Sequence, residues 1–547
     1  MNQPGPNFCK GVWCRAAMAG LLSAMLPAAE LQAVAANRGQ EEVSKGFQKT
    51  VTLVAGQSVR IEHKFGEVRV RGESGRDVRI SATIRAQAGS REEAQSFADK
   101  IQIDVQQTSE GVRVRTIYPD EGRHLFGRNT SYSVNYDIAM PSEAPLNVRN
   151  NFGNTDVSAI RASTDIENSH GNVSARDVGT ARLNNSFGNI DLTGAMGNAS
   201  VTDTNGNVQV SDVKGTLEVR NRFGSITTKS TQAAATINGG NAAVTLSDAA
   251  SGNITTSFGS VDARNIRGDL TVHDNNGNIE IATIGGAADI TDSFGNVTLS
   301  DVHGLVNCRT NNGWVKGSAL AGSSVAIHDS FGNIDLNTIG GALDAETSNG
   351  RITVRDSRGA VTLGTSFGAI DAANIPKGIR ATNGNGAINL ADIGGDTYAK
   401  TSFGSVLIER VNGNLTVENN NGSVTARNVK GDASVRTSFS GVTLDGIGGR
   451  ITVDNQNGGI AVIASRPANG CRDISLKTSF SSIRVQVPQG LGYNLSAHTS
   501  LGRINSELPV TAMGSIGGDT LNGTIGSGGC LLQLNNTNGS IEITKGQ

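Results

Sequence analysis

The chain has 547 residues, a formal net charge of −2 and only 4% aromatic residues. A charge so close to zero, without a basic stripe, gives no electrostatic reason to bind nucleic acid or an anionic membrane. Glycine is abundant, with 70 residues, and the middle of the sequence repeats itself. The composition therefore favours one long repetitive architecture over several ordinary globular domains.

The first 35 residues have the pattern of a bacterial export signal. Lys10 and Arg15 are followed by an apolar stretch from 16 to 29 and then by Ala33, Val34 and Ala35. Basic, apolar and small residues in that order predict a cleaved signal peptide, 1–35. No later segment has 18 consecutive apolar residues, so we expect no helical transmembrane span. The predicted location is the periplasm, the cell surface or the medium.

Residues 36–150 predict a small β-rich N-terminal domain. Strand-like runs lie at 51–53, 59–61, 78–84, 112–117 and 132–140, and 91–100 has the apolar spacing of one amphipathic helix. The end of a stacked repeat exposes unpaired backbone groups, which invite aggregation. We therefore expect this domain to cap the repeats that follow.

From residue 151 onward the chain repeats a Phe followed by Gly or Ser every 35 to 37 residues, and Asn-Gly lies midway between most of these pairs. After Gly404, apolar residues stand 2, 4, 7, 11 and 13 positions later, and a second glycine, Gly413, stands 9 positions later. Apolar residues two apart, bounded by Gly and Asn, predict short strands with one buried face. The repeated Phe positions are Phe152, Phe187, Phe223, Phe258, Phe294, Phe331, Phe367, Phe403 and Phe439.

These offsets predict an all-β fold in which residues 151–487 form a β-solenoid, or β-helix, with coils of about 18 residues and two strands per coil. A coil of 36 residues is the alternative, but its interior would be too wide for so few small apolar side chains. Glycine is expected at the corners because a sharp turn there needs a positive φ. The Phe and Asn residues at these corners are interpreted as structural.

The repeat becomes irregular at residues 488–547, which predict irregular C-terminal coils and a cap. Cys308 occupies an inward position and should be a buried thiol. Cys471 and Cys530 are candidates for a disulfide in an oxidising compartment. Regular stacking would separate their coils by about 14 Å, however, which is too far for that bond.

A search for chemistry predicts no catalytic residue, no cofactor-binding residue and no metal site. The seven histidines lack metal-ligand spacing, and His170 occupies an Asn corner. Asp191 and Asp335 fall inside strands, whereas a calcium site needs several oxygens at one turn. Trp314 follows a corner glycine at an outward position, so it is the one candidate ligand contact.

The opening of the chain resembles a known family. Ser58–Glu62, Phe65–Val70 and Tyr136–Pro141, followed by Leu146–Val148 and a first Phe-Gly coil, are similar to the start of the bacterial putative-adhesin family. This domain of unknown function, built of β-strand repeats in exported proteins, resembles the head-GIN adhesin group. The resemblance implies a β-helical fold, export and adhesion, and it carries no catalytic motif to transfer.

The sequence therefore predicts an exported, non-enzymatic β-solenoid, an adhesin or cell-envelope interaction scaffold. It would be a monomer that contacts a surface polysaccharide or an envelope protein, without nucleic acid as a partner. The alternative is a carbohydrate-active enzyme on the same scaffold, a lyase or hydrolase, and a hydrolase requires two carboxylates that face each other across a sugar. A purely mechanical spacer would have no ligand.

Overall fold

A computed structural model describes residues 41–119, 130–465, 470–513 and 517–546. The predicted export signal lies outside these described residues. Within them the chain forms 47 β-strands and one α-helix. None of the described helical structure is long and apolar enough to cross a membrane.

The N-terminal region contains the helix and the first strands. These are β1 (Glu41–Thr52), β2 (Ser58–Phe65), β3 (Val68–Glu73), β4 (Asp77–Ala88), α1 (Arg91–Lys100), β5 (Gln102–Gln107), β6 (Gly111–Ile117), β7 (Ser131–Pro141), β8 (Leu146–Phe152) and β9 (Thr155–Ser158).

The repeats follow as a continuous series of short strands, of which only β16 runs on through several corners. They are β10 (Thr164–His170), β11 (Val173–Val178), β12 (Ala181–Phe187), β13 (Ile190–Ala195), β14 (Ala199–Asn205), β15 (Val208–Val213), β16 (Leu217–Thr255), β17 (Val261–Ile266), β18 (Leu270–His273), β19 (Ile279–Ile284), β20 (Ala288–Thr291), β21 (Val297–Val302), β22 (Val306–Arg309), β23 (Val315–Leu320), β24 (Ser324–His328), β25 (Ile334–Ile339), β26 (Ala342–Thr347), β27 (Ile352–Ser357), β28 (Val361–Thr365), β29 (Ile370–Ile375), β30 (Ile379–Asn383), β31 (Ile388–Ile393), β32 (Thr397–Thr401), β33 (Val406–Val411), β34 (Leu415–Asn419), β35 (Val424–Val429), β36 (Ala433–Thr437), β37 (Val442–Ile447), β38 (Ile451–Asn455) and β39 (Ile460–Ala464).

The C-terminal region closes the stack. Its strands are β40 (Ile474–Thr478), β41 (Ile483–Val487), β42 (Tyr493–Thr499), β43 (Ile504–Ser506), β44 (Val510–Ala512), β45 (Thr520–Ile525), β46 (Cys530–Asn536) and β47 (Ile541–Lys545).

Each coil contributes one strand to each of two parallel ladders. Ile279 lies beside Val297 and Val297 lies beside Val315, so paired residues are 18 apart in the sequence. Val406 and Ile408 point inward with the equivalent residues of neighbouring coils, and one continuous apolar core fills the stack. The predicted 18-residue coil with two strands is confirmed, and the 36-residue alternative is excluded.

The first coil is separated in sequence from the coil on which it stacks. Strands β2 and β3 pair in parallel with β8 and β9, while the segment between them folds back over the end of the stack. In that segment β7 and then β4 continue one ladder, and β6 and β5 continue the other. Strand β1, which precedes the first coil in the chain, pairs with the outer edge of β4. Helix α1 begins after Ser90, whose hydroxyl accepts a hydrogen bond from the Glu93 amide, and buries Phe97. The predicted helix is confirmed.

The last coils stack in a different order from their order in the chain. Strands β46 and β47 pair with β40 and β41, and β42 and β43 then pair with the outer side of β46 and β47. The coil that follows Cys530 therefore lies directly on the coil that follows Cys471. Their Cα atoms are 5.8 Å apart and the two residues form a disulfide. The expected 14 Å separation was wrong because it assumed that coils stack in chain order.

Cys308 is a free, fully buried thiol between Ile290 and Ile327 of neighbouring coils, as predicted. Burial raises the pKa of this thiol far above its ordinary value. The thiol is therefore an unreactive part of the core.

Close backbone stacking explains the corner glycines. A Cβ on Gly350 would lie 1.6 Å from the carbonyl oxygen of Gly332, and one on Gly368 would lie 1.8 Å from that of Gly350. Both glycines have a φ outside the left-handed region, so the expected positive φ is wrong for these two corners. It is confirmed at six other corner glycines, whose φ lies between 124° and 154°: Gly153, Gly171, Gly188, Gly224, Gly259 and Gly313. After Gly350 and Gly368, the left-handed positions come six residues later, at Asp356 with φ 57° and Asn374 with φ 60°.

Replacing a corner glycine should therefore cost stability. We expect Gly368→Ala to lower the free energy of unfolding by about 1–3 kcal/mol, because its Cβ would overlap a backbone oxygen that cannot move alone. Gly364→Ala is the matched control: its Cβ would meet the Glu346 side chain at an ordinary 3.4 Å. Urea denaturation measures both variants, and equal midpoints would contradict the stacking argument.

Candidate functional site

The residue just before each corner residue forms an outward row, here called the Phe–Asn ridge. The corner residue is glycine in most coils and Ala242, Ser440 or Ser481 in three of them. Isolated bridges join Phe294 to Asn276 on one side and to Asn312 on the other, so Phe and Asn alternate from coil to coil. The seven Phe side chains from Phe258 to Phe480 are each 56% to 63% exposed. The ridge runs through Phe152, His170, Phe187, Asn205, Phe223, Asn241, Phe258, Asn276, Phe294, Asn312, Phe331, Asn349, Phe367, Asn385, Phe403, Asn421, Phe439, Asn457 and Phe480.

The alternation continues through the reordered C-terminal coils. Asn538 belongs to the coil that stacks on Phe480, and Leu501 belongs to the coil beyond it. Leu501 is 75% exposed. An apolar residue therefore returns at every second coil in space, although the chain visits these coils in another order.

The N-terminal end of the ridge is a continuous aromatic stack. The ring of Phe65 in the first coil lies 5.3 Å from Phe152, which lies 4.7 Å from His170, which in turn lies 4.9 Å from Phe187. Consecutive coils all carry a ring here, so the rings touch. The His170 ring is thus an integral part of this stack, which its Asn corner position did not predict.

A buried polar residue lies two positions before every ridge residue except Asn241, which has Gly239 there, and holds the corner in place. The Thr401 hydroxyl donates to the Gly386 carbonyl at 3.2 Å, and the Asn419 amide donates to the Gly404 carbonyl at 3.1 Å. These bonds satisfy carbonyls that the turn leaves unpaired. They tie each coil to the one before it, so the ridge side chains project from a rigid backbone. Sequence reasoning missed this row, although Asn, Asp or Thr recurs at that position.

Four of these buried positions carry a carboxyl group: Asp203, Asp274, Asp292 and Asp329. Loss of hydration on burial raises the pKa of Asp203 to about 6. Burial likewise raises the pKa of Asp292 to about 6, with nearby backbone N–H groups opposing the change and Asp274 adding to it. Burial thus makes Asp203, Asp274 and Asp292 costly to ionise inside the corner.

The outer surface beside the ridge is polar and electrically balanced. From Ser366 to Gly458, the ridge residues and their immediate neighbours include no ionisable side chain. The residues three positions before the ridge residues form a charged row. Their charge alternates in sign across consecutive coils: Lys400, Glu418, Arg436, Asp454 and Lys477.

Between this charged row and the ridge lies a shallow groove of about 270 Å³. Its floor next to the ridge carries hydroxyl and amide groups from Ser402, Asn420, Ser438 and Gln456. The groove therefore offers hydrogen-bonding groups alongside the exposed rings of Phe403 and Phe439.

A second, larger groove has a volume of about 810 Å³. It lies along the corners that follow the second strand of the coils between Asn374 and Ser465. Asn374, Asn428 and the ion pair between Asp392 and Arg410 line it, with the Arg410 Nε atom 2.6 Å from Asp392. The Arg410 hydrogen bond lowers the pKa of Asp392. Among the described residues, the lining contains one carboxylate, already paired, and no second carboxylate across from it.

Trp314 lies two residues after Asn312 of the ridge and is partly buried. Its amide donates to the Asn296 side-chain oxygen at 3.1 Å, and the Lys316 ammonium lies 4.4 Å from the centre of its ring. One face of the indole therefore has a cation as its neighbour, and its role as a ligand contact stays a prediction. Within the described ranges, no three His, Cys, Asp or Glu side chains converge as a metal site requires.

The structure defines a β-solenoid with an exposed ridge, and comparisons with other proteins add little to that class. No protein-family profile matches the sequence, and no curated protein matches it. One solved structure, a putative cell adhesion protein from Clostridium sporogenes, matches over 46% of this chain and all of its own, with 9% identity and a TM-score of 0.19. A TM-score that low carries no argument, so the resemblance to the putative-adhesin family stays a prediction.

The buried carboxyl groups predict a pH dependence. In the folded chain Asp292 has a pKa of about 6, above the ordinary 3.8, so the folded state holds its proton more tightly than the unfolded state does. Stability should therefore fall as the pH rises from about 4 to about 6 and stay lower above that range. We expect Asp292→Asn to stabilise the chain by about 2 kcal/mol at pH 7.5 and by little at pH 4.

Urea denaturation at both pH values measures this difference. Asn already occupies the equivalent position at Asn383 and Asn419, so the replacement fits the corner. As a control, Asp344→Asn changes an exposed strand carboxylate and should shift stability little at either pH. Equal effects of Asp292→Asn at pH 4 and pH 7.5 would contradict the assigned pKa.

Proposed function

We propose that this chain is an exported, non-enzymatic adhesin or cell-envelope interaction scaffold, and that the Phe–Asn ridge is its binding surface. The observation that carries the proposal is the row of exposed Phe rings at every second coil. Large apolar side chains are normally buried, and a long ordered row of exposed ones is typical of an interaction surface. This replaces the interpretation of the ridge Phe residues as purely structural.

Many weak contacts in a row suit this role. Covering the remaining exposed half of one Phe ring contributes about 1 kcal/mol, too little for useful affinity alone. A partner that spans several coils engages several rings at once, and these contacts reinforce each other because the scaffold holds them rigidly. The hydrogen-bonded corners described above provide that rigidity.

The non-enzymatic part of the proposal rests on how the surface carboxylates are paired. Asp392 contacts Arg410, and Glu418 contacts Lys400 at 3.3 Å. A glycosidase needs one carboxyl group that keeps its proton and a second one across the sugar. The Arg410 hydrogen bond lowers the pKa of Asp392, so the carboxylate of the larger groove favours its ionised form, which disfavours the alternative of a carbohydrate-active enzyme.

Removal of ridge rings should abolish binding. We expect the triple variant Phe331→Asn, Phe367→Asn and Phe403→Asn to reduce association with isolated bacterial envelopes at least tenfold, measured by cosedimentation of the purified protein. Asn is the chain's own residue at the neighbouring ridge positions, so the variant should keep its fold. Circular dichroism and urea denaturation check that it does.

A matched triple variant controls for the loss of exposed apolar surface. Leu305→Asn, Leu407→Asn and Ile463→Asn each replace an exposed aliphatic side chain outside the ridge with Asn. This variant should bind like the parent chain. Equal losses in both triple variants, or no loss in either, would exclude the ridge as the binding surface.

Export is the second part of the proposal. The predicted signal supports it, and so does the disulfide between Cys471 and Cys530, because disulfides persist in oxidising compartments. We expect cell fractionation to find the mature chain outside the cytoplasm, without residues 1–35 and with those two thiols protected from alkylation until reductant is added. Deletion of 1–35 should retain the chain in the cytoplasm with both thiols reactive. A cytoplasmic full-length chain would contradict export.

A further inference from the structure

The spacing of the ridge specifies what could lie along it. Parallel strands of neighbouring coils are about 4.8 Å apart, so Phe rings two coils apart repeat about every 10 Å along the axis. An Asn side chain lies midway between each pair of rings. A ligand that matches this ridge must present an apolar face at the same interval, with polar groups between.

An extended β-1,4-linked glycan has this repeat. Successive sugars in such a chain are turned over, so every second ring presents the same face, and one disaccharide has nearly the length of the Phe interval. Pyranose rings have an apolar face of C–H groups, which packs on aromatic rings. Their edges carry hydroxyl groups, which fit amide and hydroxyl partners such as Asn420, Asn421 and Ser438.

The charges select an uncharged chain. The ridge between Ser366 and Gly458 has no ionisable side chain, and the charged row beside the groove alternates in sign. An acidic polysaccharide would find no excess of cations there, and each Lys or Arg in the row has an acidic residue in the adjacent coil. A neutral ligand loses no binding free energy when it lies beside this row of balanced charges.

We propose that the Phe–Asn ridge binds an uncharged β-1,4-linked glucan that runs parallel to the solenoid axis, one disaccharide per two coils. The sugars with one orientation stack on Phe331, Phe367, Phe403 and Phe439, and the groove beside Phe403 and Phe439 receives hydroxyl groups of the chain. This inference rests on the proposed function and names its ligand class.

Calorimetric titration of the full chain with cello-oligosaccharides tests the interval. Affinity should rise about fivefold from cellobiose to cellotetraose and again to cellohexaose, because each added disaccharide reaches one more ring. Each odd-numbered oligosaccharide should bind nearly as tightly as the next longer even one, since cellotriose already reaches two rings and the fourth sugar faces an Asn. Binding that rises evenly with every sugar, or no binding, would overturn the inference.

Two ligand controls test the linkage and the charge. Malto-oligosaccharides have the same sugar in a coiled α-1,4 chain, and oligomannuronates have the β-1,4 linkage with a carboxylate on each ring. Both should bind at least tenfold more weakly than cellohexaose. Equal or tighter binding of either one would overturn the assigned ligand class. Reducing ends counted after the titration should not increase, and an increase abolished by a single carboxylate substitution would establish the enzyme instead.

The ridge variants separate this inference from the proposed function. Phe331→Asn, Phe367→Asn and Phe403→Asn should remove the steps in affinity, whereas the off-ridge triple variant should retain them. If envelope binding needs the ridge but cello-oligosaccharides do not bind, the ligand class is wrong and the interaction role stands. Sedimentation that shows the parent chain as a dimer and the ridge variant as a monomer would identify a second copy as the occupant.

Discussion

The close stacking of backbone at the glycine corners is the constraint on which the rest of this structure depends. Each corner glycine lies so near the carbonyl of the previous corner that no side chain fits between them. A buried Asn, Thr or Asp two positions before the ridge residue then hydrogen-bonds to carbonyls of the corner. Together these features hold successive coils in one register, and every outward row of side chains becomes straight and periodic.

Because the rows are straight, residues that repeat in the sequence also repeat at regular intervals on the surface. The residue just before each corner glycine cannot point inward, because the polar residue two positions earlier already occupies the corner interior. Phe and Asn at that position therefore become an alternating ridge outside the core. The apolar core and the exposed ridge thus arise from the same coil geometry, but only the core is needed to bury surface and stabilise the stack.

The two ends of the solenoid cover their open sheet edges in different ways. At the start, a long inserted segment continues both ladders, and helix α1 covers the added sheet. At the other end, the last coil of the chain inserts between two earlier coils, and the disulfide joins this inserted coil to the coil on which it lies. Both arrangements leave the ridge continuous. At the start Phe65 stacks on Phe152, and at the other end apolar and Asn positions alternate up to Leu501.

The sequence by itself determined the coil length, the two strands per coil, the buried Cys308 and the single helix. These are local or periodic properties, and alternation of Val and Ile with polar residues between Gly and Asn specifies them directly. The tertiary structure alone decided which coils are neighbours at the C-terminal end, and hence that Cys471 meets Cys530, because pairing between distant strands leaves no local signal. It also decided that the Phe residues face outward and that the inward polar row holds the corner. Which side of a turn a residue takes depends on the backbone of the next coil, which a single repeat does not contain.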